Sequence, residues 1–312
     1  MKREKVVVLI GPTAVGKTKL SIEVAKAFKG EIISGDSMQI YRSMDIGTAK
    51  ITSTEMEGIP HHLLDIKDPT ESYSTAEYQL NVRRLIKEIT ERGNLPIIVG
   101  GTGLYIQSVI YDYHFSEHSS NSILREQLEK EAKEKGIDVL VERLRKIDPV
   151  SAEKIHPNNQ RRVIRALEVY ITSGKTMSEH QEDQDLGETL YDVALIGLTM
   201  DRSELYSRIN QRVDRMIEDG LLNEVKSLYD KEIRNVQSIQ AIGYKELYLY
   251  LDGEVTLDEA IDLLKQNSRR YAKRQLTWFR NKMDVTWFDM SDAGNEKKFK
   301  EIIYFIAGKQ NL

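Results

Sequence analysis

Eight residues constrain this chain more than any others: Gly11-Pro12-Thr13-Ala14-Val15-Gly16-Lys17-Thr18 fit the pattern G-x-x-x-x-G-K-[ST]. Just before them, Val6-Val7-Val8-Leu9-Ile10 is a continuous apolar run, as in a strand buried on both faces of a parallel sheet. Just after them, a helical pattern runs from about Lys17 to Phe28. Strand, loop and helix in this order make a phosphate cradle. Backbone N–H groups converge on one anion, and the helix N-terminus adds partial positive charge. Lys17 supplies a mobile full charge, and the Thr18 hydroxyl can ligate a Mg²⁺ ion that bridges phosphate oxygens. The loop specifies a polyphosphate site without specifying a reaction.

The same β-loop-α alternation continues. Glu31 to Ser34 reads as a second strand, ending at Gly35-Asp36-Ser37, and Leu95 to Val99 as a third, ending in Gly100-Gly101-Thr102-Gly103. Between them, Ser74 to Arg92 is a helix opened by a capping box of Ser74 and Glu77. From Ser122 to about Gln184 the chain is polar, charged and helical in period, with no strand candidate. Asp192 to Leu198 returns as a strand. Helices are expected over Ser203 to Lys231, Ile242 to Leu251 and Leu257 to Lys282, then a strand-like piece from Val285 to Phe288. The pattern predicts an α/β fold: a P-loop NTPase-like parallel sheet flanked by helices, with an all-helical insertion domain. The expected division is a core of residues 1–114 and 191–312, with the insertion at 115–190.

Composition narrows the function classes. With 312 residues, 40% apolar and 30% charged, the chain can bury a sizeable core. It has no cysteine, which excludes disulfides, thiolate zinc sites and a Cys nucleophile. A net charge of −4 means that any nucleic acid must be held by local basic patches. Val6 to Ile10 is too short for a membrane span, so the expectation is a cytoplasmic protein.

In open α/β sheets, ligands sit beyond the C-terminal ends of the strands. Asp36 and Thr102 both lie there, as does the phosphate loop, so three distant loops are expected to meet in one crevice. Each residue also has a plain reading, Asp36 as a turn former and Thr102 as a helix cap. Motor NTPases add a strand ending directly in an acid. Asp36 stands two residues past the expected end of its strand, which leaves a kinase or another transferase that handles a diphosphate.

At this point the residues carry a specific resemblance. G-P-T-A-x-G-K-T, then S-x-D-S-x-x-x-Y (Ser34 to Tyr41) and M-D-I-G-T-A-K (Met44 to Lys50), resemble the tRNA dimethylallyltransferase family. P-H-H-L-L-D-I (Pro60 to Ile66), V-G-G-T-x-L-Y (Val99 to Tyr105), R-A-L-E-V (Arg165 to Val169) and Y-A-K-R-Q-x-T-W-F-R (Tyr271 to Arg280) extend the likeness in order. It departs at Val15, where Ser is common, at Gly35, where an apolar residue is common, and at Asn159, where Asp is common. The zinc finger of eukaryotic members has no counterpart in a chain without cysteine.

The resemblance implies transfer of a dimethylallyl group from its diphosphate to N6 of adenosine 37, in the tRNA anticodon stem-loop, by a monomer. It assigns the diphosphate to the loop from Gly11 to Thr18, to Mg²⁺ held through Thr18, and to Arg212 as a further clamp. It makes Asp36 the general base; an ordinary Asp pKa of about 3.9 already leaves such a group ionised at neutral pH. Thr102 would bond a diphosphate oxygen or the target nucleotide. For tRNA contact it implies Asp36, Ser37, Met38 and Gln39, the run Arg161, Arg162, Val163, Ile164 and Arg165, and a place near Arg125. The alternative reading is a P-loop kinase of a small molecule or nucleotide.

The charge pattern agrees with an RNA partner. Lys265 to Met283 carries seven cations and no acid, with Tyr271, Trp278 and Phe279 interleaved. On a helix, Arg270, Lys273 and Arg274 share a face that suits a phosphate backbone, while the aromatics either stack on bases or anchor the helix. His61 and His62 suggest a metal, but neighbours on an extended chain point to opposite faces and no third ligand is near.

Overall fold

The computed structural model describes residues 3–115, 122–182, 184, 187–291 and 295–312. It divides into two compact units, Met1–Ile110 with Thr189–Leu312, and Tyr111–Glu188. The first unit begins with β1 (Lys5–Ile10), α1 (Lys17–Phe28), β2 (Gly30–Gly35), β3 (His61–His62), α2 (Thr75–Glu91), β4 (Leu95–Gly100) and α3 (Gly103–Ile110). The second holds α4 (Ser122–Lys135), α5 (Ile137–Ile147), α6 (Pro149–Lys154), α7 (Gln160–Ser173) and α8 (Met177–Glu182). The first then resumes with β5 (Asp192–Thr199), α9 (Arg202–Glu218), α10 (Leu221–Tyr229), α11 (Tyr244–Leu251), α12 (Leu257–Lys282), β6 (Thr286–Asp289) and α13 (Asn295–Gln310).

The six strands form one sheet in the order β3-β2-β4-β1-β5-β6, every pair parallel. Because helices cover both faces, the central strands are apolar throughout: Val6 to Ile10 are fully buried. Leu20, Val24 and Ala25 of α1, Leu205 and Ile209 of α9, and Ile302 and Ile306 of α13 pack in the same core. All strands pointing one way brings the loops after β1, β2 and β4 to one edge, where the site lies.

Local chemistry fixes the helices that frame that edge. Ser74 and Glu77 close the expected capping box on α2, and Thr256 with Glu259 does the same for α12. The Asp201 carboxylate caps α9 by accepting from Ser203 and Glu204 N–H. The expected helix over Ser203 to Lys231 is two helices, because the chain turns at Gly220, where φ is 99°. Two elements were not expected, the two-residue edge strand β3 and the terminal helix α13.

The named elements of the second unit are all helices, packed around Leu128, Leu140, Leu144, Val163, Ile164 and Leu167. Asn159 caps α7 by accepting from Arg162 N–H, a role that Asn and Asp fill alike. No helix among the described residues is long and apolar enough to cross a membrane.

Candidate active site

The loop from Gly11 to Thr18 leads β1 into α1 without a side-chain cap on the helix. Ala14 and Gly16 have φ of 66° and 102°, which folds the backbone around a hollow. No side chain caps the first turn of α1, whose residues Lys17, Thr18 and Lys19 line the cavity, as an anion site requires. Lys17 Nζ folds back and donates to the carbonyls of Gly11 at 2.9 Å and Pro12 at 2.7 Å. Its pKa is lowered to about 7, first by burial and next by Arg212, against an upward pull from Asp36.

Residues from eight segments line one cavity of about 820 Å³, all within the first unit. Thr13, Ala14, Gly16, Lys17 and Thr18 come from the phosphate loop, Asp36 to Gln39 from the loop after β2, and Gly100 and Gly101 from the end of β4. Arg212 reaches in from α9 and is held below the usual guanidinium range by burial, with Asp36 and Glu55 pulling the other way. A guanidinium partly buried in a cavity without a bonded carboxylate is poised for an anionic ligand. Ile209, Val213 and Met216 of α9, Ala241 and Leu264 give the same cavity an apolar wall.

Asp36 is fixed in place. Its Oδ1 accepts from Met38 N–H at 2.8 Å and Gln39 N–H at 3.3 Å. One finding corrects the spacing argument: β2 runs to Gly35, so Asp36 follows its strand directly. The distance from the strand end therefore no longer speaks against a hydrolytic motor. Thr102 sits at the start of α3, where its carbonyl accepts from Tyr105 and Ile106 N–H. Its hydroxyl does not cap the helix: Oγ1 is buried beside the Tyr271 hydroxyl, and Thr102 itself adjoins the cavity wall without lining it. Burial pushes Tyr271 up to about 12.

Some contributors were not legible beforehand. Gln275 of α12 lines the cavity, as do Ser268, Tyr271 and Arg274 of the same helix. Glu224 of α10 accepts the N–H groups of Asp45, Ile46 and Gly47 within 3.0 Å and the Tyr244 hydroxyl at 2.6 Å. It thereby shapes the turn whose Gly47, Thr48 and Ala49 line the cavity. Gln39 bonds the carbonyls of Thr48 and Ala49 at 3.3 Å, joining this turn to the loop that carries Asp36.

Of the α12 cations, Arg270, Lys273 and Arg274 are exposed, whereas Lys265 pairs with Asp214 at 2.6 Å and Arg269 bonds Asn210 at 2.6 Å. Phe279 is fully buried and anchors the helix. In the second unit Arg125 and Arg165 both bond the buried Glu168 at 2.9 Å. Burial raises the Glu168 carboxyl, but the two guanidiniums outweigh it and hold it below its usual range. Arg161 and Arg162 are exposed, while Val163 and Ile164 are 1% and 2% exposed and face the core, so their side chains offer nothing at the surface. The two histidines are otherwise engaged: His61 Nδ1 lies 2.8 Å from the Ile59 carbonyl and His62 Nε2 lies 2.7 Å from Glu31.

For Mg²⁺, Thr18 offers a hydroxyl at the helix start, and the Asp36 carboxylate lines the same cavity. No cluster of three or more acidic or histidine side chains that could cage a metal occurs among the described residues. This donor set fits an ion that takes most of its ligands from phosphate and water, as Mg²⁺ commonly does.

Comparison with known proteins bears on this arrangement. The profile of the family described as IPP transferase matches residues 39–282. A tRNA dimethylallyltransferase of Bacillus anthracis is 64% identical over 312 residues, covering 100% of this chain and 98% of that one. Among solved structures, the full-length tRNA isopentenylpyrophosphate transferase of Bacillus halodurans is 57% identical, with a TM-score of 0.76, covering 98% of this chain and 97% of its own. A eukaryotic dimethylallyltransferase, captured acting on tRNA, is 35% identical, with a TM-score of 0.78, covering 93% of this chain and 74% of its own.

Proposed function

The chain belongs to the IPP transferase family, the tRNA dimethylallyltransferases, and from that premise we propose that it moves the dimethylallyl group of dimethylallyl diphosphate to N6 of adenosine 37 in tRNA. The observation that carries this reading is one cavity holding Lys17, Arg212 and Asp36 beside an apolar wall. A phosphate site alone would serve a kinase. A phosphate site continuous with Ile209, Val213, Met216 and Leu264 suits a diphosphate with a short hydrocarbon tail.

The chemistry follows from charge. As the C–O bond breaks, negative charge grows on the diphosphate, so its stabilisation is the main electrostatic task. The N–H groups at the start of α1, Lys17 and Arg212 meet that charge inside the cavity. Thr18 would hold Mg²⁺ against the diphosphate, and the ion's charge offsets that of the leaving group. Asp36, with Oδ1 tied to two N–H groups, presents its other oxygen to accept a proton from the amine as the new C–N bond forms.

For tRNA, the second unit serves as a gripping module through Arg125, Arg161, Arg162 and Arg165, and the first unit as the catalytic core. Arg270, Lys273 and Arg274 on α12 add a phosphate-facing stripe. Extruding the adenine costs a few kcal/mol, less from a single-stranded loop than from a duplex. The test supplies unmodified tRNA and Mg²⁺ with either dimethylallyl diphosphate or ATP. Prenylated tRNA with the first donor supports the proposal; phosphoryl transfer from ATP with no prenylation selects the kinase alternative.

A further inference from the structure

Gln275 is 7% exposed and spends both ends of its amide on backbone. Its Oε1 accepts from the N–H of Thr13, in the phosphate loop, at 3.1 Å. Its Nε2 donates to the carbonyl of Gly101, after β4, at 3.1 Å. Only this orientation of the amide makes both bonds, since a flip would set N–H against N–H and oxygen against oxygen. One side chain on α12 thus bridges two loops that arise from different strands, and all three residues line the cavity.

The fit is close on the loop side. A Cβ added to Gly101 would stand 2.0 Å from Gln275 Nε2, so the loop must carry glycine there for the amide to reach its carbonyl. Two positions on, a Cβ on Gly103 would stand 2.2 Å from the Trp278 ring, one helical turn along α12. The helix therefore moulds the Gly101–Gly103 segment, between whose glycines stands the buried Thr102 hydroxyl, beside Tyr271 of the same helix. On the phosphate-loop side, the Thr13 N–H given to Gln275 is withdrawn from any anion, which leaves the amides nearer α1 to form the cradle. Lys17 holds the carbonyls of Gly11 and Pro12, so Gln275 and Lys17 grip the Pro12–Thr13 peptide unit from its N–H and C=O sides, and Lys17 also holds the unit before it.

From this geometry we infer that Gln275 is a positioning residue: it sets the phosphate loop and the Gly101–Thr102 loop in register with each other and with α12. The inference rests on the reading of the phosphate loop as the diphosphate site. Gln275 touches neither substrate in this scheme. Its contribution lies in where the cradle amides and Thr102 stand when the diphosphate departs, so it affects the donor side and the rate, not the grip on tRNA. A near-attack geometry displaced by about 1 Å costs up to roughly 100-fold in rate.

Gln275→Met keeps length and bulk and removes both hydrogen bonds. Gln275→Asn keeps an amide one methylene shorter, which cannot span the two loops, and serves where the methionine variant folds poorly by circular dichroism. Inorganic diphosphate with Mg²⁺ is titrated into wild type and both variants, tRNA affinity is measured, and single-turnover transfer is followed with tRNA prebound. The expected result is diphosphate affinity down about tenfold and single-turnover rate down about 10- to 100-fold, with tRNA affinity within about twofold. A residue that merely fills space would lower thermal stability and leave the single-turnover rate unmoved. Wild type that binds no inorganic diphosphate would overturn the phosphate-site reading and this inference together. Wild type that binds it while folded variants match its affinity and rate would overturn the role of Gln275 alone.

Discussion

The two units hold their cations ready in opposite ways. In the first, Lys17 and Arg212 stand in a cavity without a bonded carboxylate, and burial lowers the pKa of both. In the second, Arg125 and Arg165 are about 40% exposed and both bond the buried carboxylate of Glu168. A partly buried cation without a counter-charge gains most when an anion arrives and completes it. A half-exposed cation already paired gains little charge energy, but its guanidinium is aimed. The first arrangement suits a small, dense charge that must be stabilised as it develops. The second suits a long polyanion recognised by the placement of its phosphates.

The contrast is tested most severely at the group that balances the first pair. Asp36 pulls the pKa of Lys17 and of Arg212 upward, and it is the proposed base. Asp36→Asn keeps the shape, and single-turnover transfer is expected to fall by roughly 10²–10⁴ with both substrates still bound. A variant that transfers at nearly the normal rate would leave Asp36 a turn former that merely binds Met38 and Gln39 N–H. Next in size is Lys17→Ala. Removing one charge proposed to face the leaving group should cost on the order of 2–4 kcal/mol of transition-state stabilisation, with tRNA affinity little changed. Unchanged kcat/KM for dimethylallyl diphosphate would remove Lys17 from the mechanism.

On the other side, Arg161, Arg162 and Arg165 replaced together by Ala should weaken tRNA binding and spare diphosphate binding. For every tRNA phosphate that an arginine no longer neutralises, the slope of log K against log salt should flatten by roughly 0.7–0.9. Equal slopes for wild type and triple variant, in proteins shown to be folded, would make this surface a solvated helix face. A smaller effect is expected at Glu168. Glu168→Gln adds net positive charge, so a purely electrostatic grip predicts tighter tRNA binding. If Glu168 instead aims the two arginines, affinity falls by several-fold to about tenfold. The sign of the change, read from a tRNA titration at fixed salt, decides between charge and geometry.

How much of this was readable from the chain varies with the range of the interaction. The strands β1, β2, β4 and β5 announce themselves as apolar runs, and the capping boxes at Ser74 and Thr256 are local. β3 is two residues long and exists only because β2 is beside it. In α13 the buried Phe299, Ile302 and Ile306 recur at helical spacing, so that helix was readable although no element was expected beyond Phe288. The phosphate loop and Asp36 could be placed by motif and strand ends. Gln275 and Glu224 could not, because their partners Thr13 and Gly47 lie 262 and 177 residues away. A glutamine in a basic segment or a glutamate on a helix has no local signature of such a bond.

The smallest expected effect is also the sharpest probe of how the first unit stores its charge. Burial and Arg212 lower Lys17 to about 7, against Asp36, so near pH 8 the ligand-free lysine is mostly neutral. The sign follows from linkage. Between pH 7 and 10.5 the unfolded chain carries the Lys17 proton more fully than the folded one, so this group alone makes ligand-free stability rise with pH across that window. A bound diphosphate supplies the missing counter-charge and draws the pKa back up, so binding takes up a proton. At pH 8 the uptake should amount to most of one proton, and at pH 6 to little, because the free lysine is then already charged. Calorimetric titration with dimethylallyl diphosphate in two buffers of different ionisation enthalpy reads this number directly. The terminal phosphate of the ligand titrates near roughly pH 6, so its own contribution fades by pH 8. Lys17→Ala provides the background. Uptake near zero at pH 8 would mean that the carbonyls of Gly11 and Pro12, at 2.9 and 2.7 Å, keep the ammonium charged despite its burial. The two units would then hold their cations by the same means, with carbonyl oxygens in one doing what Glu168 does in the other.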